Sequence, residues 1–274
     1  MKYLFFLFLF VTATWQNVFA QKQTSLSRSE IGFLLGGSYY IGDLNQFTHF
    51  KYSRPSASIL YRFSINPRVT WRINAGFGQI QGDDSKSKDP VTINRNLSFR
   101  SDIFEIASGV EFHYFPFQLG HPTYKGTAYL LAEIGVFHMN PKTNYNGEWI
   151  ELQPLGTEGQ GSDLSSKKNY MLTQLCIPLA IGAKLSLGRK ATLGVEYGIR
   201  MTFTDYLDDV KSDRYISRGE LASANGPLTA ALANRSHDQS DYGKRGNPAT
   251  KDWYFFYGAT ITFRLGGPKK CVQP

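Results

Sequence analysis

The sequence predicts an all-β fold: an eight-stranded antiparallel transmembrane β-barrel with short periplasmic turns and long extracellular loops. Three observations predict it. Segments of about ten residues alternate apolar and polar side chains, the period of a strand with one apolar face. Their connections alternate between short turns and long polar loops. The strands follow a leader of the export type. After export, the apolar solvent that such faces meet is lipid.

The leader occupies residues 1–20. Lys2 supplies its positive start, Leu4 to Val11 its apolar run, and Val18-Phe19-Ala20 its cleavage site, so Gln21 is expected to begin the mature chain. The run is too short for a permanent helix, which needs about 20 residues. Gln21 in place of a cysteine excludes lipoprotein processing there. The barrel is expected over 21–266, with a periplasmic tail at 267–274.

The first strand, Ile31 to Ile41, sets Ile31, Phe33, Leu35, Tyr39 and Ile41 on one face. The second, Ser56 to Ile65, points Ala57, Ile59, Tyr61, Phe63 and Ile65 outward and Ser58 and Arg62 inward. Asn66-Pro67 turns the chain into the third, where Val69, Trp71, Ile73, Ala75 and Phe77 oppose Arg72 and Asn74. The fourth, Asp102 to Tyr114, sends Phe104, Ile106, Val110 and Phe112 outward and Glu105, Glu111 and His113 inward.

A turn at Pro116 to Gly126 leads to the fifth strand, with Ala128, Leu130, Ala132, Ile134 and Val136 outward. The sixth, Leu172 to Leu185, has Leu175, Ile177, Leu179, Ile181 and Leu185 on its apolar face. Its Pro178 predicts a local bulge. Leu187 to Lys190 turns into the seventh, Ala191 to Thr204, the cleanest alternation in the chain. The eighth runs from Trp253 to Leu265. Long loops follow strands one, three, five and seven, at 42–54, 82–97, 140–169 and 205–251. Tyr39, Tyr114, Trp253 and Phe263 near strand ends suit interfacial girdles.

Composition agrees. Aromatic residues make up 15% against 19% charged, awkward for a soluble globule but expected where half of each strand faces lipid. The net charge of +8 is spread without a basic run, which argues against nucleic acid and leaves membrane lipids or an acidic partner. Cys176 lies mid-strand and Cys271 in the tail, too far apart in this topology for a disulfide.

Small barrels are filled by side chains. Parity sends Arg62, Arg72, Lys184, Arg200 and Arg264 into the lumen to face Glu105, Glu111, Glu133 and Glu196, a charge network expected to plug it. Catalytic signals are sparse. His138 is expected at the outer rim beside Glu133, the arrangement a lipid A-modifying barrel enzyme would need with a nearby serine. Asp205, Asp208, Asp209 and Asp213 lack calcium-loop spacing and read as solvated loop carboxylates. No metal or cofactor is expected, and no enzymatic activity.

Several loop strings are distinctive. They are Ser38-Tyr39-Tyr40-Ile41-Gly42-Asp43-Leu44, Asn96 to Arg100, Tyr145-Asn146-Gly147-Glu148-Trp149, and Gln153 to Gly161. Others are Thr204 to Val210, Gly226-Pro227-Leu228, Arg245-Gly246-Asn247-Pro248 and Asp252-Trp253-Tyr254. Together they resemble the outer-membrane barrel family that includes PorG, a component of the type IX secretion system, over essentially the whole mature chain.

The resemblance implies a non-enzymatic barrel that tethers a periplasmic ring of PorK and PorN proteins. Partner-facing residues would then be Phe117, Leu119, Tyr124, Arg189, Lys190, Lys269 and Lys270. The family strings themselves, through Asp43, Trp149, Glu151, Asp205, Tyr206, Asp208, Asp209 and Arg245, are expected to pack as a lid over the outer end. A free-standing barrel that stabilises the envelope is the other non-enzymatic alternative.

Overall fold

All eight expected strands form, and each pairs antiparallel with its neighbours. A computed structural model describes residues 28–46, 48–241 and 243–266. Arg28–Leu265 form one compact unit; the other, Met1–Ser27 with Gly266–Pro274, is described only at Gly266. The leader and the tail residues Lys269, Lys270 and Cys271 lie outside the described residues.

The barrel strands are β1 (Ser29–Ile41), β2 (Arg54–Asn66), β3 (Val69–Asp83), β4 (Ser98–His113), β5 (Gly126–Met139), β8 (Thr173–Leu187), β9 (Ala191–Thr202) and β10 (Trp253–Arg264). A hairpin in the third long loop supplies β6 (Lys142–Tyr145) and β7 (Glu148–Glu151). Its Asn146-Gly147 turn has positive φ at both residues, 54° and 91°, the pairing a tight two-residue hairpin needs. The order β3-β2-β1-β10-β9-β8-β5-β4 closes through a β3–β4 ladder, so the barrel strands leave no free edge.

The register fixes the barrel's tilt. Direct partners lead from Ala128 through Ala183, Val195, Ala259, Leu35, Ala57, Phe77 and Phe104 to His138. One circuit therefore returns to β5 ten residues along, the stagger that tilted strands require for closure.

The two faces differ as the alternation demands. Ile134, Ile106 and Val195 are 72%, 67% and 62% exposed on the outside, while Arg62, Arg72 and Glu111 are fully buried inside. A wall of exposed aliphatic and aromatic side chains around a charged interior inverts the pattern of a water-soluble protein. It is the wall of a transmembrane barrel, crossed by strands. No helix of the described residues is long and apolar enough to cross a membrane.

Two local expectations are corrected. Pro178 makes no bulge: β5–β8 pairing skips the residues opposite it, yet Ala132 pairs Leu179 and Gly135 pairs Cys176 in one unchanged register. The missing proline N–H costs ladder bonds without adding a residue. The register shift occurs instead between Ser64 and Asn66, beside the β2–β3 turn. Tyr39, expected in the exposed girdle, is buried, because Phe50 and His49 of the first loop fold onto the outer wall against it. Its hydroxyl lies 2.8 Å from His49 Nδ1 and 2.5 Å from the Tyr197 hydroxyl.

The long loops carry three short helices: α1 (Pro90–Arg95), α2 (Arg218–Asn225) and α3 (Pro227–Ala233). Asp89 caps α1 by accepting the Val91 and Thr92 amides, with Pro90 at the first helical position. One apolar core runs from the upper lumen into the loops. It joins Phe137, Tyr254 and Phe256 of the strands to Leu152, Tyr206, Leu207, Val210 and Leu232 above them.

Candidate functional site

The lumen, its lid and the short-turn end are the three places where polar side chains collect. In the lumen, Glu111 is a hub. It accepts Arg62 Nε at 2.6 Å and Lys184 Nζ at 2.6 Å, with Arg72 Nη1 at 3.4 Å and His113 Nε2 at 3.5 Å. Arg72 also reaches Glu196 with two nitrogens, at 2.5 and 3.0 Å, and Tyr129 donates to the same carboxylate at 2.7 Å. Arg200 and the Tyr254 hydroxyl hold Glu105, at 3.2 and 2.7 Å. Glu133 accepts the Asn74 amide at both oxygens, at 2.8 and 2.7 Å, and lies 3.8 Å from Arg72 Nε.

Charges so deeply buried are tolerable only when paired and hydrogen-bonded. Four cations and five carboxylates fill the interior, counting Glu30, which Thr192 and Thr262 hold at 3.0 and 2.6 Å. The result is a packed plug, not a water-filled channel.

Arg264 stands apart from this network. It sits half-buried at the short-turn end, where a guanidinium nitrogen donates to the Leu119 carbonyl. Its neighbours Leu119 and Phe117, read as partner-facing, are themselves buried. The 114–125 connection folds across the barrel mouth, so Phe117 lies under Lys184, whose Nζ is 5.0 Å from the ring centroid, and beside His113. Tyr124 is half-buried against His121, and Arg189 and Lys190 are exposed. An irregular turn carries no parity, so its inward residues could not be told from its outward ones.

The lid brings Asp43, Asp205, Tyr206, Asp208, Asp209 and Arg245 together, all buried. Arg245 bridges the loops. It donates to Glu158 at 2.5 Å, to the Asp209 carbonyl at 3.3 Å and to the Ala233 carbonyl at 3.2 Å. Glu158 also accepts the Lys211 and Ser212 amides at 2.8 and 2.7 Å. Arg95 ties three loops by donating to the Asp84 carboxylate and to the carbonyls of Asp43 and Arg245, at 2.8 and 2.6 Å. Tyr40 donates to Asp208 and, at 3.3 Å, to Asp252.

Burial raises these loop carboxyls. Asp209 is pushed up to about 6 despite Arg245, Thr157 and Tyr170 beside it. Asp205 rises to about 6, with neither oxygen accepting a hydrogen bond and Lys251 Nζ 3.9 Å away. Desolvation lifts Asp208 and Asp252 well above the ordinary carboxylate range, with repulsion from Asp43 adding at Asp208 and from Asp208 and Asp205 at Asp252. Asp205, Asp208 and Asp209 are therefore not solvated as expected; only Asp213 is exposed. No group of three or more such side chains among the described residues is disposed to hold a metal ion.

Two lid residues are misplaced by the sequence reading. Trp149 is 44% exposed on the β6–β7 hairpin, with the Arg100 guanidinium 3.8 Å from its ring centroid. Glu151 is exposed beside Lys142, at 2.9 Å. Both lie on the hairpin's outer face, while Thr143 is buried and Ile150 packs against the core on the inner one. His138 and Glu133 are also separated: they lie on opposite faces of β5, five residues apart, with His138 exposed outward at 3.0 Å from Thr173 Oγ1. Glu158, Arg95, Asp84 and Asp252 were missed as lid residues, and Tyr129 and Glu30 as lumen residues, whereas Asn74 lies on the inward face its parity with Arg72 predicts. Both of these lumen residues carried a signal, Glu30 its inward parity with Leu34 and Tyr129 its inward parity with Glu133.

The fold and its interior define a closed transmembrane barrel with a charged plug and a loop lid. The family described as a domain of unknown function (DUF6089) matches residues 2–225, and this chain belongs to it. No curated protein matches the chain. Among solved structures, the chain is similar to Neisserial surface protein A, at 9% identity and TM-score 0.43 over 87% of this chain and 98% of that one. It is similar to Ail of Yersinia pestis, at 9% and 0.41 over 88% and 99%. The outer membrane protein OprG of Pseudomonas aeruginosa is similar at 8% and 0.37, over 88% and 97%.

Proposed function

We propose that this protein is a non-enzymatic barrel of a Gram-negative outer membrane, related to PorG, that anchors the periplasmic PorK/PorN ring of the type IX secretion apparatus. The observation that carries this reading is the filled lumen beneath a bonded lid. An interior tied by Glu111, Arg72 and Glu196 offers no path for a solute. What remains to act is the surface at each end.

The short turns share one side with the start of β1 and the end of β10, and that side is periplasmic in such barrels. With Phe117 and Leu119 turned inward, the described surface offered to a ring is Tyr124, Arg189 and Lys190. That surface is basic and suits an acidic partner. Affinity purification of the tagged barrel from mildly solubilised outer membranes tests the reading. PorK and PorN are expected to copurify with it. A barrel recovered alone, under conditions that keep the ring intact, would leave a free-standing envelope barrel instead.

A further inference from the structure

The outer wall near the short turns carries a groove that the anchoring role does not use. It is lined by Phe112, Tyr114, Leu130, Ile181, Val195 and Tyr197, with a volume of about 870 Å³ and Arg68 at its rim. A second depression, of about 500 Å³, continues it through the shared Ala128, Ala183 and Val195 toward Gly126 and Ala259. Direct register partners Ala128, Ala183, Val195 and Ala259 form its floor, so the trough crosses four strands where the flanking side chains are large.

We propose that this trough binds a diacyl phospholipid with an anionic headgroup, its chains along the apolar floor and its phosphate at Arg68. Three features select this occupant. The groove opens sideways from a wall that faces lipid, and its volume is within the range of about 300–1,000 Å³ typical of ligand sites. Its lining is apolar along the wall and cationic at the rim, the polarity of a phospholipid read from chain to headgroup. The rim is also one-signed. Arg68 is exposed, and among the described residues the short-turn end exposes no aspartate or glutamate, Glu30 being buried. Arg68 spends one donor on the Tyr114 carbonyl at 2.7 Å, which fixes the guanidinium at the groove's lower edge and leaves the rest of its donors outward.

The inference rests on the membrane reading and goes beyond it. Its test is electron paramagnetic resonance of the full chain in phosphatidylcholine nanodiscs doped with chain-labelled phosphatidylglycerol or phosphatidylcholine. The motionally restricted fraction is expected to favour phosphatidylglycerol by about fivefold per cation engaged, and to lose that preference in high salt. Arg68→Gln should lower it by about that factor. Ala183→Phe, which fills the floor, should reduce restriction of both lipids. Equal restriction of the two lipids by an inserted barrel would overturn the inference alone. So would a preference untouched by both substitutions. A chain that fails to enter the nanodisc would overturn the membrane reading with it.

Discussion

Arg245 and Glu158 meet at 2.5 Å, both buried, and this contact joins the fourth long loop to the third. The two residues are 87 positions apart, in loops whose lengths alone would suggest freedom. Through Glu158 the pair also holds the Lys211 and Ser212 amides, and through Arg245 it holds two carbonyls. The lid is thus built from buried polar bonds as much as from apolar packing.

Breaking that pair should loosen the lid and leave the barrel standing. Arg245→Met strands the Glu158 carboxylate, a change that costs about 3–5 kcal/mol for a buried ion pair. Limited proteolysis should then cut within 140–172 and 203–252 while the strands stay protected. Adding Glu158→Gln should restore part of the resistance.

The lumen predicts a sharper contrast. Glu111→Leu leaves Arg62 and Lys184 without their shared carboxylate and should lower stability by about 3–5 kcal/mol. Arg264→Gln removes only a bond to the Leu119 carbonyl and should cost about 1 kcal/mol. Urea unfolding of refolded barrels measures both, and similar losses would deny the network its role.

How much of this could be read from residues alone depends on periodicity. Where side chains alternate, as from Ala191 to Thr202, face and strand follow together, and the lumen residues Arg62, Glu111 and Arg200 were found by parity. His138 was placed beside Glu133 by a miscounted parity, since the two differ by an odd number and lie on opposite faces. Loops have no such rule. Arg95 reaches the carbonyls of Asp43 and Arg245 across 52 and 150 positions, and no local pattern announces such a meeting. Phe117 illustrates the same limit in a turn: an exposed-looking aromatic proves to stop the barrel mouth.

That stopper gives a third prediction. Phe117→Ala removes a buried ring and should cost about 3–5 kcal/mol, read by unfolding. Arg189→Glu with Lys190→Glu should leave stability within about 0.5 kcal/mol, because both side chains are exposed.

The lid should also respond to pH. Asp205 and Asp209 hold their protons to about 6 when folded, against 3.8 for a free aspartate. The folded lid therefore binds more protons than the unfolded loops between those values. Their contribution to stability is full below about pH 4 and is lost as pH rises through about 6. Hydrogen exchange of residues 203–212 should be slower at about pH 5 than at about pH 7.5, after correction for intrinsic rates. Asp205→Asn with Asp209→Asn should flatten the difference.

The central claim, that the short-turn end is the face held against a periplasmic ring, is tested most directly by photo-crosslinking in living cells. A photoreactive residue would replace Tyr124, Arg189 or Lys190 at one end and Trp149 at the other. The account predicts adducts to PorK or PorN from the first three positions and none from Trp149. Adducts from Trp149 alone, or no ring adducts from any position in cells with an assembled ring, would contradict it.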